Sequence, residues 1–137
     1  MPKLNGIEET CLSVADLERS EQFYRDLFDL PVIAGDARFR ALDVAGSQVL
    51  LLFLSGATEQ DVQLPGGTIP AHGASGRSHV AFSISAADLE GWKKLLAERG
   101  IVIEGTMTWP RGGMSLYFRD PDEHLLELMT PGVWSTY

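Results

Sequence analysis

Residues 115–129 read SLYFRDPDEHLLELM: two apolar stretches flank the turn RDPDE, and the second holds an acidic side chain, Glu127, between Leu126 and Leu128. An apolar strand buries its side chains. A carboxylate in that setting is costly unless it is paired, hydrogen-bonded or bound to a cation. Glu127 therefore needs a partner, and the best candidate is His79, which opens the alternating stretch HVAFSI (79–84). Within the turn, Arg119 and Asp120 are expected to make local hydrogen bonds, and His124 is expected on the surface.

Working outward, the same pattern occurs twice. IEETCLSV (7–14) alternates with Thr10, Leu12 and Val14 on one face and Glu9, Cys11 and Ser13 on the other, which predicts a strand. Asp16 caps a helix predicted over 16–29, with Leu17, Phe23, Tyr24 and Leu27 at helical spacing and Pro31 at its exit. FRALDV (39–44) and QVLLLFL (48–54) then predict a hairpin. Residues 55–77 are rich in glycine and proline and are expected to be a linker. The second copy runs through HVAFSI, a helix over 86–99 stopped by Gly100, short strands near 101–104 and 114–119, and the last strand, HLLELM (124–129). ETCLSV overlays HVAFSI with a shift of 70 residues, and DLE at 16–18 overlays DLE at 88–90 with a shift of 72. Strand, helix and strands are thus repeated, as module 7–54 and module 78–131 of one domain spanning 1–137.

Under this overlay Glu9 corresponds to His79, and LLFLSG set over LELMTP puts Leu52 opposite Glu127. A pseudo-twofold relation would bring these positions to the concave side of a curved sheet. The apolar sets Leu12 and Val14, Val80, Phe82 and Ile84, and Leu126 and Leu128 face the helices. Glu9, Cys11, Ser13, His79, Ala81, Ser83 and Glu127 then line a small, polar face, which suits a cleft floor.

Two carboxylates and an imidazole (Glu9, Glu127 and His79) can hold a divalent cation and leave positions open for water and substrate. Alternatively, Glu127 and His79 form a plain ion pair with Glu9 solvated. The donor set suits Zn, Ni, Mn, Mg or Fe(II). His72, in GTIPAHGASG, is either a lid residue reaching substrate or a solvated loop histidine. In WPRGG (109–113), Trp109 and Arg111 either close on a ligand by stacking and by gripping a carboxylate, or form an exposed connection. Tyr117 and Cys11 complete the substrate-binding candidates, with Cys11 expected to be a small buried thiol rather than a nucleophile.

The whole chain, 137 residues with 45% hydrophobic and 22% charged side chains, suits a globular domain. Its net charge of −8 argues against nucleic acid as a partner. The longest apolar run, VLLLFL (49–54), is too short to span a bilayer, and MPKLNG lacks the apolar core of a signal peptide. With a single cysteine, these features lead to the expectation of a cytoplasmic protein.

CLSVADLERSEQFYRDLFDLPV, SHVAFSISAADLEGWKKLLAERGI and SLYFRDPDEHLLEL together resemble the vicinal-oxygen-chelate superfamily, which includes glyoxalase I, bleomycin-resistance proteins, fosfomycin-resistance proteins and extradiol dioxygenases. The resemblance implies an α+β fold of two βαβββ modules forming one open curved mixed sheet around a cleft, in a protein that pairs as a homodimer. By position it implies His79 and Glu127 as metal ligands, with Glu9 where the family usually has histidine and Leu52, which cannot coordinate, at the remaining position. The implied function is a divalent-metal-dependent enzyme (lyase, isomerase or dioxygenase) that chelates a small oxygenated substrate, with Glu127 or Glu9 as base. The alternative is a metal-free protein that sequesters a small antibiotic-like or aromatic compound.

Overall fold

A computed structural model describes all of residues 1–137. The chain divides into two compact units, Met1–Gly76 and Arg77–Tyr137. The first contains β1 (Glu9–Val14), α1 (Leu17–Phe28), β2 (Val32–Gly35), β3 (Phe39–Val44), β4 (Gln48–Leu54), β5 (Val62–Leu64) and β6 (Gly67–Ile69). The second contains β7 (His79–Ser83), α2 (Leu89–Glu98), β8 (Gly105–Thr108), β9 (Met114–Arg119) and β10 (Leu125–Met129). The class is α+β, with a βαβββ module in each unit. The hydrogen-bonded ladders end within each module, so there are two four-stranded sheets, ordered β1-β4-β3-β2 and β7-β10-β9-β8.

In both sheets the first strand lies parallel to the last and the other pairs are antiparallel. Parallel neighbours need a long crossover, which α1 and α2 supply on the way to the later strands. Asp16 caps α1 by accepting a hydrogen bond from the Arg19 amide at 3.0 Å. Tyr24 and Leu27 of this helix are buried, as are Leu12, Val14, Leu42, Leu50 and Leu52 of the first sheet. In the second unit the buried set is Leu89 and Leu96 of α2 with Leu116, Phe118, Leu126 and Leu128. No helix is long and apolar enough to cross a membrane.

The hairpin of β3 and β4 has the expected bounds, turning at Ala45 and Gly46, both with positive φ. Elsewhere the structure corrects the sequence. Residues 55–77 are not a bare linker: they contain the hairpin of β5 and β6, and all but Arg77 belong to the first compact unit. Its strands have three residues each, so the Pro65-Gly66-Gly67 turn masks them. Residues 101–104 are not a strand. The Ile101 amide closes the end of α2 by donating to the Leu96 carbonyl, and pairing with β9 begins at Gly105.

The overlay of Leu52 on Glu127 is off by one. Glu9 pairs with Val49 and Cys11 with Leu51, whereas His79 pairs with Leu125 and Ala81 with Glu127. The counterpart of Glu127 is therefore Leu51, and Leu52 faces the core. A slip of one residue in a strand reverses every side chain.

His124 is also corrected, from surface to core: it is 1% exposed. Its Nδ1 accepts a hydrogen bond from the Ser78 amide at 2.9 Å, and the Leu125 amide donates to the Ser78 carbonyl at 2.9 Å. Asp120 Oδ1 accepts from the amides of Asp122 and His124, both at 2.9 Å, so the turn is organised inward as expected of Asp120. His124 thereby clamps the residue that precedes His79.

The turn WPRGG is likewise tied down. The Gly113 amide donates to the Gly132 carbonyl at 3.2 Å, and a Cβ on Gly113 would lie 2.5 Å from the Gly132 carbonyl carbon.

Two substitutions test these contacts by chemical denaturation. Gly113→Ala forces two backbones apart and should destabilise by about 1–3 kcal/mol. His124→Ala strands a buried amide and leaves a cavity, at a cost of about 2–4 kcal/mol. His124→Asn, whose side-chain oxygen can replace Nδ1 as acceptor, should lose roughly half as much. Equal losses for the two His124 variants would remove the Ser78 hydrogen bond from the account.

Candidate functional site

The period of two along β7, β9 and β10 puts His79, Ala81 and Ser83, Ser115, Tyr117 and Arg119, and Glu127 on the sheet face away from the buried leucines. His79 and Glu127 sit on adjacent parallel strands, offset by two residues, with Nε2 3.2 Å from Oε2. Their side chains differ in environment: His79 is 48% exposed and Glu127 only 5%. The expected pairing of these two residues is thus present.

The pairing carries chemical detail. His79 Nδ1 lies 2.9 Å from the Leu125 carbonyl oxygen. A carbonyl only accepts, so Nδ1 carries the proton. A neutral imidazole then turns its Nε2 lone pair towards a carboxylate, and the contact becomes favourable when a cation lies between them or when Nε2 is itself protonated. The other carboxylate oxygen bears on this choice. Glu127 Oε1 is buried and has no hydrogen-bond partner. An ion pair with His79 engages Oε2 alone and leaves Oε1 desolvated, at a cost of about 1–3 kcal/mol or more. A metal ion can engage both the carboxylate and the free imidazole nitrogen, so this donor pair fits a divalent cation.

Tyr117 is the cross-strand neighbour of Glu127, and its ring centroid lies 6.4 Å from that of His79. Burial, and then the adjacent Glu127 carboxylate, raise the phenol's pKa above its ordinary value of 10.0. Tyr117 is therefore a neutral proton donor at physiological pH. Trp109 is half-buried, and its Nε1 donates to Ser115 Oγ at 2.8 Å. Arg111 lies in the exposed turn, which is closed by hydrogen bonds from the Trp109 amide to the Gly113 carbonyl and from the Gly112 amide to the Trp109 carbonyl.

The remaining candidates lie in the first unit. Glu9, Cys11 and His72 line a cleft of about 330 Å³ whose floor and wall include Phe39, Phe53 and Ile69. Cys11 is exposed, not buried as expected, because it points from β1 to the open face, opposite Leu12. Partial desolvation, and then Glu9, raise its thiol pKa above 9.0, so the thiol is neutral. His72 is held by its loop: its amide donates to the Thr58 carbonyl at 2.9 Å, and its ring meets Phe53 edge-on at 5.2 Å. Of the three expected metal ligands, His79 and Glu127 meet in the second unit and Glu9 belongs to the first. No group of three or more His, Cys, Asp or Glu side chains gathers to hold a metal ion.

The sequence did not reveal Phe39, Phe53 or Arg38 as cleft residues. Phe39 and Phe53 alternate with core leucines along a hairpin, but nothing in the one-dimensional pattern marks which face the β5–β6 hairpin covers.

Comparison with known proteins adds relatives to this geometry. The chain is 32% identical over 133 residues to metallothiol transferase FosB of Bacillus licheniformis, covering 96% of this chain and 79% of that protein. A crystal structure of lactoylglutathione lyase from Agrobacterium tumefaciens matches with a TM-score of 0.88 and 31% identity, covering 98% of this chain and 99% of that one. The fosfomycin resistance protein FosX from Listeria monocytogenes shares the fold, with a TM-score of 0.69, 20% identity and coverage of 93% and 94%. The expectations of an enzyme and of a divalent-metal cofactor agree with these relatives. The family model for the Glyoxalase/Bleomycin resistance protein/Dioxygenase superfamily matches residues 6–128, and the chain belongs to that superfamily.

Proposed function

We propose that the protein is a divalent-metal-dependent enzyme that acts on a small oxygenated substrate, with His79 and Glu127 as metal ligands. The observation that carries this is the buried, unpartnered Oε1 of Glu127 beside Nε2 of a histidine whose Nδ1 is already committed. The names of the relatives support it: FosB is a metallothiol transferase and the Agrobacterium protein a lactoylglutathione lyase.

His79 Nε2 and the Glu127 carboxylate would hold the ion. When bound, it supplies Lewis acidity to oxygens of the substrate. The protein's own groups do the rest. The Leu125 carbonyl fixes the His79 ring and its tautomer, and the His124 clamp on Ser78 fixes the backbone from which that ring projects. Tyr117, kept protonated by burial and by Glu127, donates a hydrogen bond to a substrate oxygen. A Glu127 oxygen that is not engaged by the ion accepts a proton. Trp109, anchored on Ser115, gives the sheet face an apolar wall. The proposal also includes a cytoplasmic location and a homodimer, for which exposed Ile7, Ile33 and Val102 offer apolar surface.

The test is metal analysis. Protein dialysed separately against Zn, Ni, Mn, Mg and Fe(II), the last without oxygen, should retain one ion per chain for at least one of them. His79→Ala and Glu127→Gln should each weaken that retention by at least about tenfold. Free ion at a hundred times its Kd should stabilise the wild type by about 2.7 kcal/mol, and neither variant should gain this. Failure to retain any of the five ions would sink the metal reading and favour a metal-free binding protein.

A further inference from the structure

We propose that Asn5 is a site of spontaneous covalent modification, at which attack by the Gly6 backbone nitrogen converts the side chain to a succinimide and then to isoaspartate and aspartate. Asn5 is the chain's only asparagine, and the residue after it is glycine. The site lies in the first unit and does not rest on the metal pair.

The surroundings leave this dipeptide unrestrained. An Asn-Gly pair commonly serves a tight hairpin turn, but here it precedes β1, and residues 1–8 belong to no helix, strand or turn. All eight are exposed. Neither Asn5 nor Gly6 makes a hydrogen bond or an ion pair. The first tie to the sheet comes later, where the Val49 amide donates to the Glu8 carbonyl at 2.9 Å. Leu4 and Ile7, on either side, are 96% and 75% exposed, so no apolar packing holds the segment. Ring closure requires the backbone to rotate until the nitrogen of residue 6 reaches Asn5 Cγ. Glycine has no Cβ to block that approach, and nothing lies within 4 Å of where one would stand.

The chemistry needs only water and hydroxide. The Gly6 nitrogen loses its proton and bonds to Asn5 Cγ, the Cγ–Nδ2 bond breaks, and the side-chain nitrogen leaves as ammonia. Water then opens the five-membered imide. Cleavage at the backbone carbonyl carbon of residue 5 gives isoaspartate, whose chain runs through Cβ and Cγ, and cleavage at Cγ gives aspartate. Nothing is oxidised or reduced. Elsewhere the chain offers no equal: no aspartate is followed by glycine. Asp36, Asp43, Asp61 and Asp120 also have carboxylates that accept backbone amides, which holds them in place.

Conversion replaces a neutral amide by a carboxylate and adds one negative charge to the net −8, shortly before Glu8 and Glu9. Isoaspartate also lengthens the backbone there by one carbon. Because β1 starts at Glu9, after the Glu8 tie, its ladder with β4 keeps its register. The product is a more acidic form of the same fold.

The test is incubation of the full chain at mildly alkaline pH. Isoelectric focusing then counts the acidic forms, and tandem mass spectrometry with electron-transfer fragmentation separates isoaspartate from aspartate. One acidic form should accumulate and map to residue 5, mostly as isoaspartate, at a rate within about tenfold of that in the peptide MPKLNGIEE. Gly6→Ala should slow it by about tenfold or more, and Asn5→Gln should abolish it. Both substitutions fall in an exposed segment, and unchanged thermal unfolding checks that the fold is retained. Protection of the chain by more than about tenfold relative to the peptide would overturn the proposal. So would equal rates for Gly6→Ala and the wild type, or an acidic form that maps to a glutamine. Aspartate without isoaspartate would also overturn it, because direct hydrolysis of the side-chain amide makes aspartate alone.

Discussion

In each unit the first strand lies parallel to the last, and the chemistry depends on that pairing. A parallel neighbour cannot be reached by a tight turn, so a helix crosses over between them and the two strands come from opposite ends of the module. In the second unit this puts His79 beside Leu125 and Glu127 one step further along the same face. The carbonyl that orients the imidazole and the carboxylate that faces it therefore come from one strand. His124, immediately before that strand, holds the amide of the residue before His79. The His79–Glu127 contact, the tautomer lock and the backbone clamp are three consequences of one ladder register.

The same register carries different side chains in the first unit. Cys11 and Leu51 stand where Ala81 and Glu127 stand in the second, and Glu9 stands where His79 does. The leucine has no lone pair to offer, so the paired donors of one module are absent from the other. The β5–β6 hairpin, which has no counterpart after β10, faces a floor of Phe39 and Phe53 instead. Repetition of the backbone has thus produced one polar and one largely apolar sheet face. The first offers oxygen and imidazole donors from Glu127 and His79, and the second offers the aromatic surface of Phe39 and Phe53.

Much of this was legible along the chain. The alternation in ETCLSV and HVAFSI, the Asp16 cap, the turn at Ala45 and Gly46 and the apolar frame around Glu127 are local signals. They are set by side-chain period and backbone preference, and the observed elements follow them closely. Cys11, His124 and the Leu52 overlay went astray for reasons of a different kind. Whether a residue in an alternating strand is covered depends on what packs over that face, and a run such as VLLLFL reads the same in either register. His124 looks like a turn residue until the Ser78 amide, 46 positions away, is found on its ring.

The sequence by itself determined the two βαβββ modules, the misplaced carboxylate of Glu127 and the identity of its partner, because each follows from period, spacing and the cost of burying charge. Only the tertiary structure decided that Glu127 Oε1 has no partner, that His79 Nδ1 is committed to a carbonyl, and that the glycine-rich segment walls a cleft. Those outcomes are set by atoms brought within a few ångströms by strand register and loop packing, which sequence periodicity does not encode.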